Sequence, residues 1–105
     1  MGIPLYGQNK DGDNLEALAN ALSGSKAWDA GNIADGDEEA LEITVVGAAL
    51  GDFVLSSLSI DVADLALSGA VTAADTVTLV LSNNTGGAVN LGAATAYCMV
   101  VKKPS

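Results

Sequence analysis

The strongest constraint on the fold is an alternation of apolar and polar residues that returns in short blocks between residues 40 and 101. In the first block the apolar residues Leu41, Ile43 and Val45 are separated by polar ones, a period of two that is typical of a strand with one buried face. Similar blocks predict further strands at residues 52–59, 65–71, 76–82 and 94–101. Short strands separated by turns rich in Gly and Asn indicate a mainly β fold, a small antiparallel β-sandwich or barrel that is jelly-roll-like in outline.

The last predicted strand has a different pattern, because both of its faces are apolar. Tyr97 and Met99 alternate with Cys98 and Val100. A strand of this kind is expected to lie in the centre of a sheet or to be covered on both sides. Cys98 is the single cysteine of the chain, so it cannot form an internal disulfide and is expected to be a buried strand thiol.

A turn is predicted at residues 83–87, where Asn and Gly surround Thr85. Asn and Gly tolerate positive φ better than other residues do. Asn83-Asn84-Thr85 also matches the N-glycosylation sequon, which we interpret as part of this turn.

The first 39 residues lack the strand alternation. A short helix is predicted there, with Asp13 as its N-cap and Glu16 three positions later in a capping box, and with Gly24 placed to end it. Leucines follow the cap at helical spacing. The predicted organisation is an N-terminal arm at residues 1–12, the short helix at 13–24, a connector at 25–39 and the β domain at 40–105.

Two segments outside the predicted β domain carry large apolar side chains. The arm contains Ile3, Leu5 and Tyr6, a cluster that is expected to dock on the chain's own domain or on a neighbouring subunit. Trp28 and Ile33 are the large apolar residues of the connector and are expected to hold this acidic segment against a surface. These residues of the arm and connector are the candidate partner-binding residues.

The charge balance excludes several classes of partner. The chain has 13 Asp and Glu residues against 4 Lys, no Arg and no His, which gives a formal net charge of −9. Nucleic acid and anionic membranes both attract cationic proteins, so neither is an expected partner. The missing His and Arg also remove the commonest general base, the commonest transition-metal ligand and the bidentate anion clamp.

The acidic residues do not form a recognisable catalytic or metal-binding motif. Asp11-Gly12-Asp13 and the run at residues 35–39 are oxygen-rich, as Ca²⁺ sites are, but Leu15 stands where an EF-hand loop would place its next ligand. Glycoside hydrolysis needs paired carboxylates across a sugar, and serine catalysis needs a basic partner; no pattern here points to either. We therefore predict no enzymatic activity, no catalytic residues, no metal and no cofactor.

An apolar excess points to association with other protein. Half of the residues are apolar, and a lone monomer of this size would expose many of them. Contiguous exposed apolar patches usually mark interfaces between proteins, so the chain is expected to form a homo-oligomer. Several valines are out of phase with the inward positions of their predicted strands: Val46, Val54, Val80, Val100 and Val101.

A family resemblance is carried by residues 28–36, 45–54, 71–78 and 84–91. Its more specific segments are Gly-Ala-Ala-Leu-Gly-Asp at residues 47–52 and Thr-Ala-Ala-Asp-Thr-Val-Thr at residues 72–78. Together they resemble small virion proteins of tailed bacteriophages, in which a tryptophan-led connector precedes a compact β domain that ends in an apolar strand. The likeness covers residues 28–101.

The resemblance implies a structural part of a virion, such as a head decoration (cement) protein, a fibre base or a tail component, with no catalytic residues. The expected function is that of a capsid decoration subunit, made in the host cytoplasm and located on the capsid surface. It is expected to form a homo-oligomer, a trimer, and to bind the major capsid protein or another virion protein. The alternative is a tail or head-fibre component, an adhesin module that recognises a host surface ligand.

Overall fold

The regular structure of residues 21–104, the part of the chain that the computed structural model describes, consists of β-strands. In chain order they are β1 (Leu22–Asp29), β2 (Asn32–Ile33), β3 (Glu38–Thr44), β4 (Phe53–Leu58), β5 (Ala66–Ala73), β6 (Thr76–Ser82), β7 (Val89–Asn90) and β8 (Ala93–Val101).

The longer strands form two three-stranded antiparallel sheets, with the strand orders β1-β8-β4 and β3-β6-β5. The short strands β2 and β7 pair as a separate antiparallel ribbon. The prediction of a mainly β fold with antiparallel sheets is confirmed.

The strand alternation correctly predicts the buried residues Ile43 of β3 and Val77, Leu79 and Leu81 of β6. Ile43 of β3 is buried while its neighbours Glu42 and Thr44 are exposed. On β6, Val77 and Leu79 have no exposed surface at all. These side chains join residues of the β1-β8-β4 sheet in a single apolar core, so the two sheets bury their inner faces against each other.

Strand β8 lies in the centre of its sheet, as the sequence predicts for a strand with two apolar faces. It pairs with β1 on one side and with β4 on the other. Its inner face, which carries Ala96, Cys98 and Val100, is buried. The opposite face is exposed at Tyr97 and Met99.

Glycines allow the two sheets to approach each other at both of their edges. A Cβ atom on Gly24 of β1 would lie 2.9 Å from Val45 and 3.0 Å from Ile43, at the end of β3. A Cβ atom on Gly69 of β5 would lie 2.6 Å from Leu79 and 2.9 Å from Val54 of β4. Larger residues would push the strands apart at these positions, because packed interiors have little free space.

The structure corrects the predicted organisation before residue 40. The arm (1–12) and most of the predicted helix (13–24) lie outside the described residues. Leu22 begins β1 rather than ending a helix, and Gly24 pairs with Cys98 in the sheet. The segment predicted as a connector, residues 25–39, contains most of β1, all of β2 and the start of β3. Pairing with β8 makes β1 a strand although its own sequence does not alternate.

Candidate partner-binding face

The outer face of the β1-β8-β4 sheet exposes large apolar side chains. Phe53 and Leu55 of β4 are each 59% exposed, and Tyr97 and Met99 of β8 are 46% and 37% exposed. They share one face because every second residue of a strand points the same way. The register aligns them across the sheet with the smaller residues of β1. We call this surface the apolar face; its members are Ser23, Ser25, Ala27, Phe53, Leu55, Ser57, Tyr97, Met99 and Val101.

A recess of about 580 Å³ lies on the apolar face. Ser23, Gly24 and Ser25 of β1 form one side of it, and Leu55 and Ser57 of β4 form the other. Residues of β8 complete the lining, which contains no charged residue: Tyr97, Cys98 and Met99.

Charged residues lie around the apolar face and not on it. Asp29 ends β1, and Asp61 and Asp64 lie in the loop between β4 and β5, at the end of the sheets where β3 also begins. Lys102 and Lys103 follow β8 at the opposite end. Burying this face against another protein would therefore desolvate mainly apolar groups and hydroxyls, which costs far less than desolvating charges.

The outer face of the other sheet has a different character. It carries small residues such as Ala40, Ser68 and Ala70, with Glu42 among them. Its Thr72 and Thr78 hydroxyls are hydrogen-bonded to each other at 2.7 Å. Among the described residues the exposed large apolar side chains within strands all lie on β4 and β8, so the β1-β8-β4 sheet carries the stronger candidate interface.

The five predicted partner-binding residues are not brought together among the described residues. Ile3, Leu5 and Tyr6 lie outside them. Trp28 and Ile33 are only 7% and 1% exposed and belong to the core, so they hold β1 and β2 to the chain's own domain. This corrects their assignment as partner contacts, because side chains buried to this extent have almost no surface left for a partner.

The sequence marks five valines as out of phase with the inward positions, and the structure corrects this for two of them. Val100 has no exposed surface, and Val54 packs against the core, so these two belong to the interior. Val80 and Val101 are half-buried. Val46, in the loop after β3, is 76% exposed.

Sequence analysis misses Phe53 and Leu55 as surface residues. At the start of β4 the positions on both faces of the strand are apolar, because Val54 lies between Phe53 and Leu55. The alternation alone therefore does not decide which phase points outward. For Tyr97 and Met99 it predicts a shared face of the last strand, but the central position of that strand gives no sign that this face is exposed.

Asn83 is a fully buried polar residue that organises the turn after β6. Its Nδ2 donates hydrogen bonds to the carbonyl oxygens of Ile33 and Gly87, both at 2.8 Å. Its Oδ1 accepts hydrogen bonds from the amide and the hydroxyl of Thr85, at 2.9 and 2.8 Å. The predicted turn is present, and this Asn side chain is 0% exposed with both amide hydrogens in use, which supports interpreting the sequon as part of the turn.

The side chain of Asp52 links the segment after β8 to the turn before β4 through hydrogen bonds. Its Oδ2 accepts hydrogen bonds from Lys102 Nζ at 2.6 Å and from the Ala49 amide at 2.9 Å. Its Oδ1 accepts one from the Lys103 amide at 3.0 Å. The Lys102 hydrogen bond, together with the Lys103 and Ala49 amides, lowers the pKa of Asp52 from 3.8 to about 2.

This lowered pKa predicts acid sensitivity. The folded state holds Asp52 ionised to lower pH than the unfolded chain does, so its stabilising effect is complete above about pH 4 and is lost as the pH falls towards about 2. Urea unfolding midpoints measured across this range should fall more steeply for the wild type than for Asp52→Asn. The exposed Glu42→Gln is the matched control and should follow the wild type; an Asp52→Asn profile equally steep would contradict this assignment.

Among the described residues that the sequence suggests for their chemistry, Asp35 accepts a hydrogen bond and Cys98 is buried in the core. In the described residues no three Asp, Glu or Cys side chains gather closely enough to hold a metal ion; Asp11 and Asp13 lie outside them. Asp35 instead accepts a hydrogen bond from the Gly86 amide at 3.0 Å. Cys98 is a buried free thiol, as predicted, and burial raises its pKa.

No helix among residues 21–104 is long and apolar enough to cross a membrane. Comparison of the chain with protein-family models, with curated proteins and with solved structures finds no match.

Proposed function

We propose that this chain is a non-enzymatic structural subunit of a bacteriophage virion, a capsid decoration or cement subunit that binds other protein through its apolar face. The observation that carries the proposal is this face, where Phe53, Leu55, Tyr97 and Met99 are exposed together among uncharged residues. Monomeric proteins seldom expose large contiguous apolar surfaces, and such surfaces usually mark interfaces.

The virion context comes from the sequence resemblance over residues 28–101. In this proposal the two sheets form a jelly-roll-like sandwich, and the subunits assemble as a homotrimer on the capsid surface after synthesis in the host cytoplasm. The partner is the major capsid protein or another virion protein. With a net charge of −9 per copy, association must rest on apolar contact and hydrogen bonding, with the carboxylates kept at the rim.

The arm supplies a second contact in this proposal, through Ile3, Leu5 and Tyr6. An extended segment can bind a sheet edge or groove by main-chain hydrogen bonds, with alternate side chains setting the register. Many copies on one shell would add avidity to each modest contact.

Replacing Leu5 and Tyr6 by Ala should release the protein from shells while leaving the β domain folded. Purified shells are incubated with increasing protein, and the bound amount is measured after sedimentation of the shells. The wild type should bind saturably, and the double variant should need at least about tenfold more protein, the effect of losing contacts worth about 1.4 kcal/mol.

The control for this experiment is Leu15→Ala, which removes an apolar residue that lies outside the arm in the sequence. Circular dichroism and thermal unfolding establish that every variant keeps its fold. Unchanged binding of the Leu5 and Tyr6 variant would reject the role of the arm, and wild type that fails to bind shells would reject the decoration function.

One observation favours the alternative, an adhesin module on a tail or head fibre. Tyr97 is an exposed aromatic ring flanked by the hydroxyls of Ser25 and Ser57 in the recess, and an aromatic ring beside hydroxyls suits a sugar. The adhesin function predicts saturable binding to host cells that a Tyr97→Ala variant loses, whereas the decoration function predicts saturable binding to shells.

A further inference from the structure

We propose that the occupant of the apolar face is a second copy of this chain, and that Phe53 of one copy inserts into the recess of the next. This inference rests on the self-association in the proposed function and assigns the surfaces that make it. The two surfaces that would form this contact, the side chain of Phe53 and the recess, both lie on the same face of one sheet.

The recess suits an apolar side chain. Its β1 side is formed by Ser23, Gly24 and Ser25, which are small, and its other walls include Leu55 and Met99. A charged group entering it would lose water without finding an opposite charge, which is costly. An aromatic ring would instead bury apolar surface against these walls.

Phe53 is the side chain placed to enter such a recess. It is 59% exposed on the apolar face but does not line the recess of its own chain. The face is also divided by size, since β4 carries the bulky Phe53 and Leu55 whereas β1 carries Ser23 and Ser25. Two copies whose β4 and β1 halves meet would therefore be complementary in shape.

The register fixes the relative direction of the two copies. Phe53 pairs with Val101, and Ser23 pairs with Met99, the preceding position of β8 on this face. Phe53 and Ser23 therefore lie on opposite edges of the sheet at the same end, offset along the strands by two residues or about 7 Å. When strands of neighbouring copies run in the same direction, Phe53 of one copy comes next to Ser23 of the other; the reversed direction places it at the far end.

A second copy can occupy this face although the chain is strongly acidic, because the members of the face carry no charge. Two copies with a net charge of −9 each can make close contact only where neither presents carboxylates, and the members of the apolar face are uncharged. Where each copy uses its β4 half for one neighbour and its β1 half for another, the contact is heterologous, and such contacts can close into a ring. A ring of three is consistent with the proposed trimer.

This arrangement has an electrostatic consequence. Copies that point the same way bring together their like ends, including Asp29, Asp61 and Asp64. Salt screens the repulsion between these carboxylates, since the Debye length falls from about 10 Å at 0.1 M to about 3 Å at 1 M. Association should therefore become several-fold tighter as salt is raised. Copies packed in opposite directions would place Lys102 and Lys103 beside these carboxylates, and salt would then tighten association less.

A charge swap in the full-length chain tests the contact. Phe53→Asp and Ser23→Lys should each weaken self-association by at least about tenfold in sedimentation velocity, the usual effect of disrupting an interface hot spot. The chain carrying both substitutions should regain most of that loss, because the introduced carboxylate of one copy then faces the introduced ammonium group of the next. Within one chain these positions are about 12 Å apart, from strand spacing and rise, which is too far for a direct ion pair.

The matched controls are Ala70→Asp and Ser68→Lys, singly and together, which make the same charge changes at exposed positions of the other sheet. They should alter self-association only through net charge and should show no recovery when combined. Thermal unfolding checks that each variant is folded. Single variants of Phe53 and Ser23 that associate like these controls, or a double variant that is no better than the singles, would overturn the inference.

The experiment also separates this inference from the proposed function. If the charge swap restores association but the protein binds no shells, the self-contact stands and the decoration function falls. If the protein binds shells but remains a monomer in every variant, something other than a second copy covers the apolar face and the inference falls.

Discussion

Replacing Asn83 by Asp should lower the free energy of unfolding by about 3–5 kcal/mol, the usual effect of leaving a buried charge uncompensated. The substitution keeps the size of the side chain but removes the Nδ2 donor. A carboxylate oxygen would then face the carbonyl oxygens of Ile33 and Gly87, which now accept hydrogen bonds at 2.8 Å. Small domains have a total stability of about 5–15 kcal/mol, so the loss is a large fraction.

Chemical unfolding at neutral pH measures this effect, and Asn84→Asp is the matched control. Asn84 is the adjacent residue and is exposed, so its substitution should change stability by no more than about 0.5 kcal/mol. The deficit of Asn83→Asp should shrink at acid pH, because burial raises the pKa of the new carboxyl and the neutral acid carries no charge. Equal stability of the two variants at neutral pH would show that Asn83 does not hold the turn.

Replacing Gly69 by Ala should destabilise the protein by about 1–3 kcal/mol, the usual cost of overpacking a core. The new Cβ would lie 2.6 Å from Leu79 and 2.9 Å from Val54, so it would separate the β4 and β5 edges. Leu79 has no exposed surface and therefore little freedom to move. Valine at this position should cost more, because it adds further atoms in the same space.

Gly87→Ala is the matched control, since a Cβ there meets no atom within 4 Å. Its stability should stay within about 0.5 kcal/mol of the wild type. The steric origin is tested by Gly69→Ala in a Leu79→Val background, where the penalty should be smaller because the two sites are coupled. An unchanged penalty in that background would mean that contact with Leu79 is not the source of the loss.

The sequence predicts strands β3 and β6 well, because the alternation of buried and exposed residues is present in their own sequences. A strand with one buried face must alternate, so Ile43 and its neighbours identify β3, and Val77, Leu79 and Leu81 identify β6. The turn at residues 83–87 is equally local, since Asn and Gly favour its backbone conformations.

The first strand could not be predicted in this way. Residues 22–29 contain Ser, Gly, Lys and Ala without alternation, and the segment is a strand because it pairs along its length with β8. That pairing depends on residues about 70 positions away, so it is a tertiary effect that overrides local preference. For the same reason Trp28, which the sequence predicts to be a connector residue, is in fact part of the core.

The sequence predicts that the candidate site is an apolar contact surface, but it does not predict which residues form that surface. The acidic and apolar composition draws attention to apolar contact surfaces, but it does not locate them. Phe53, Val54 and Leu55 are apolar in succession, and only the packing of Val54 against the core decides that its two neighbours point outward.

The mass of the 105-residue chain in solution, measured by sedimentation equilibrium over a wide range of concentrations, decides whether the protein self-associates through the apolar face. Because the apolar face and its recess have no complement within the described residues, the chain should sediment as an oligomer, with three copies of the 10.4 kDa subunit as the expected species. The oligomer should dissociate only on strong dilution. A single copy at every concentration would contradict a protein built to associate through that face.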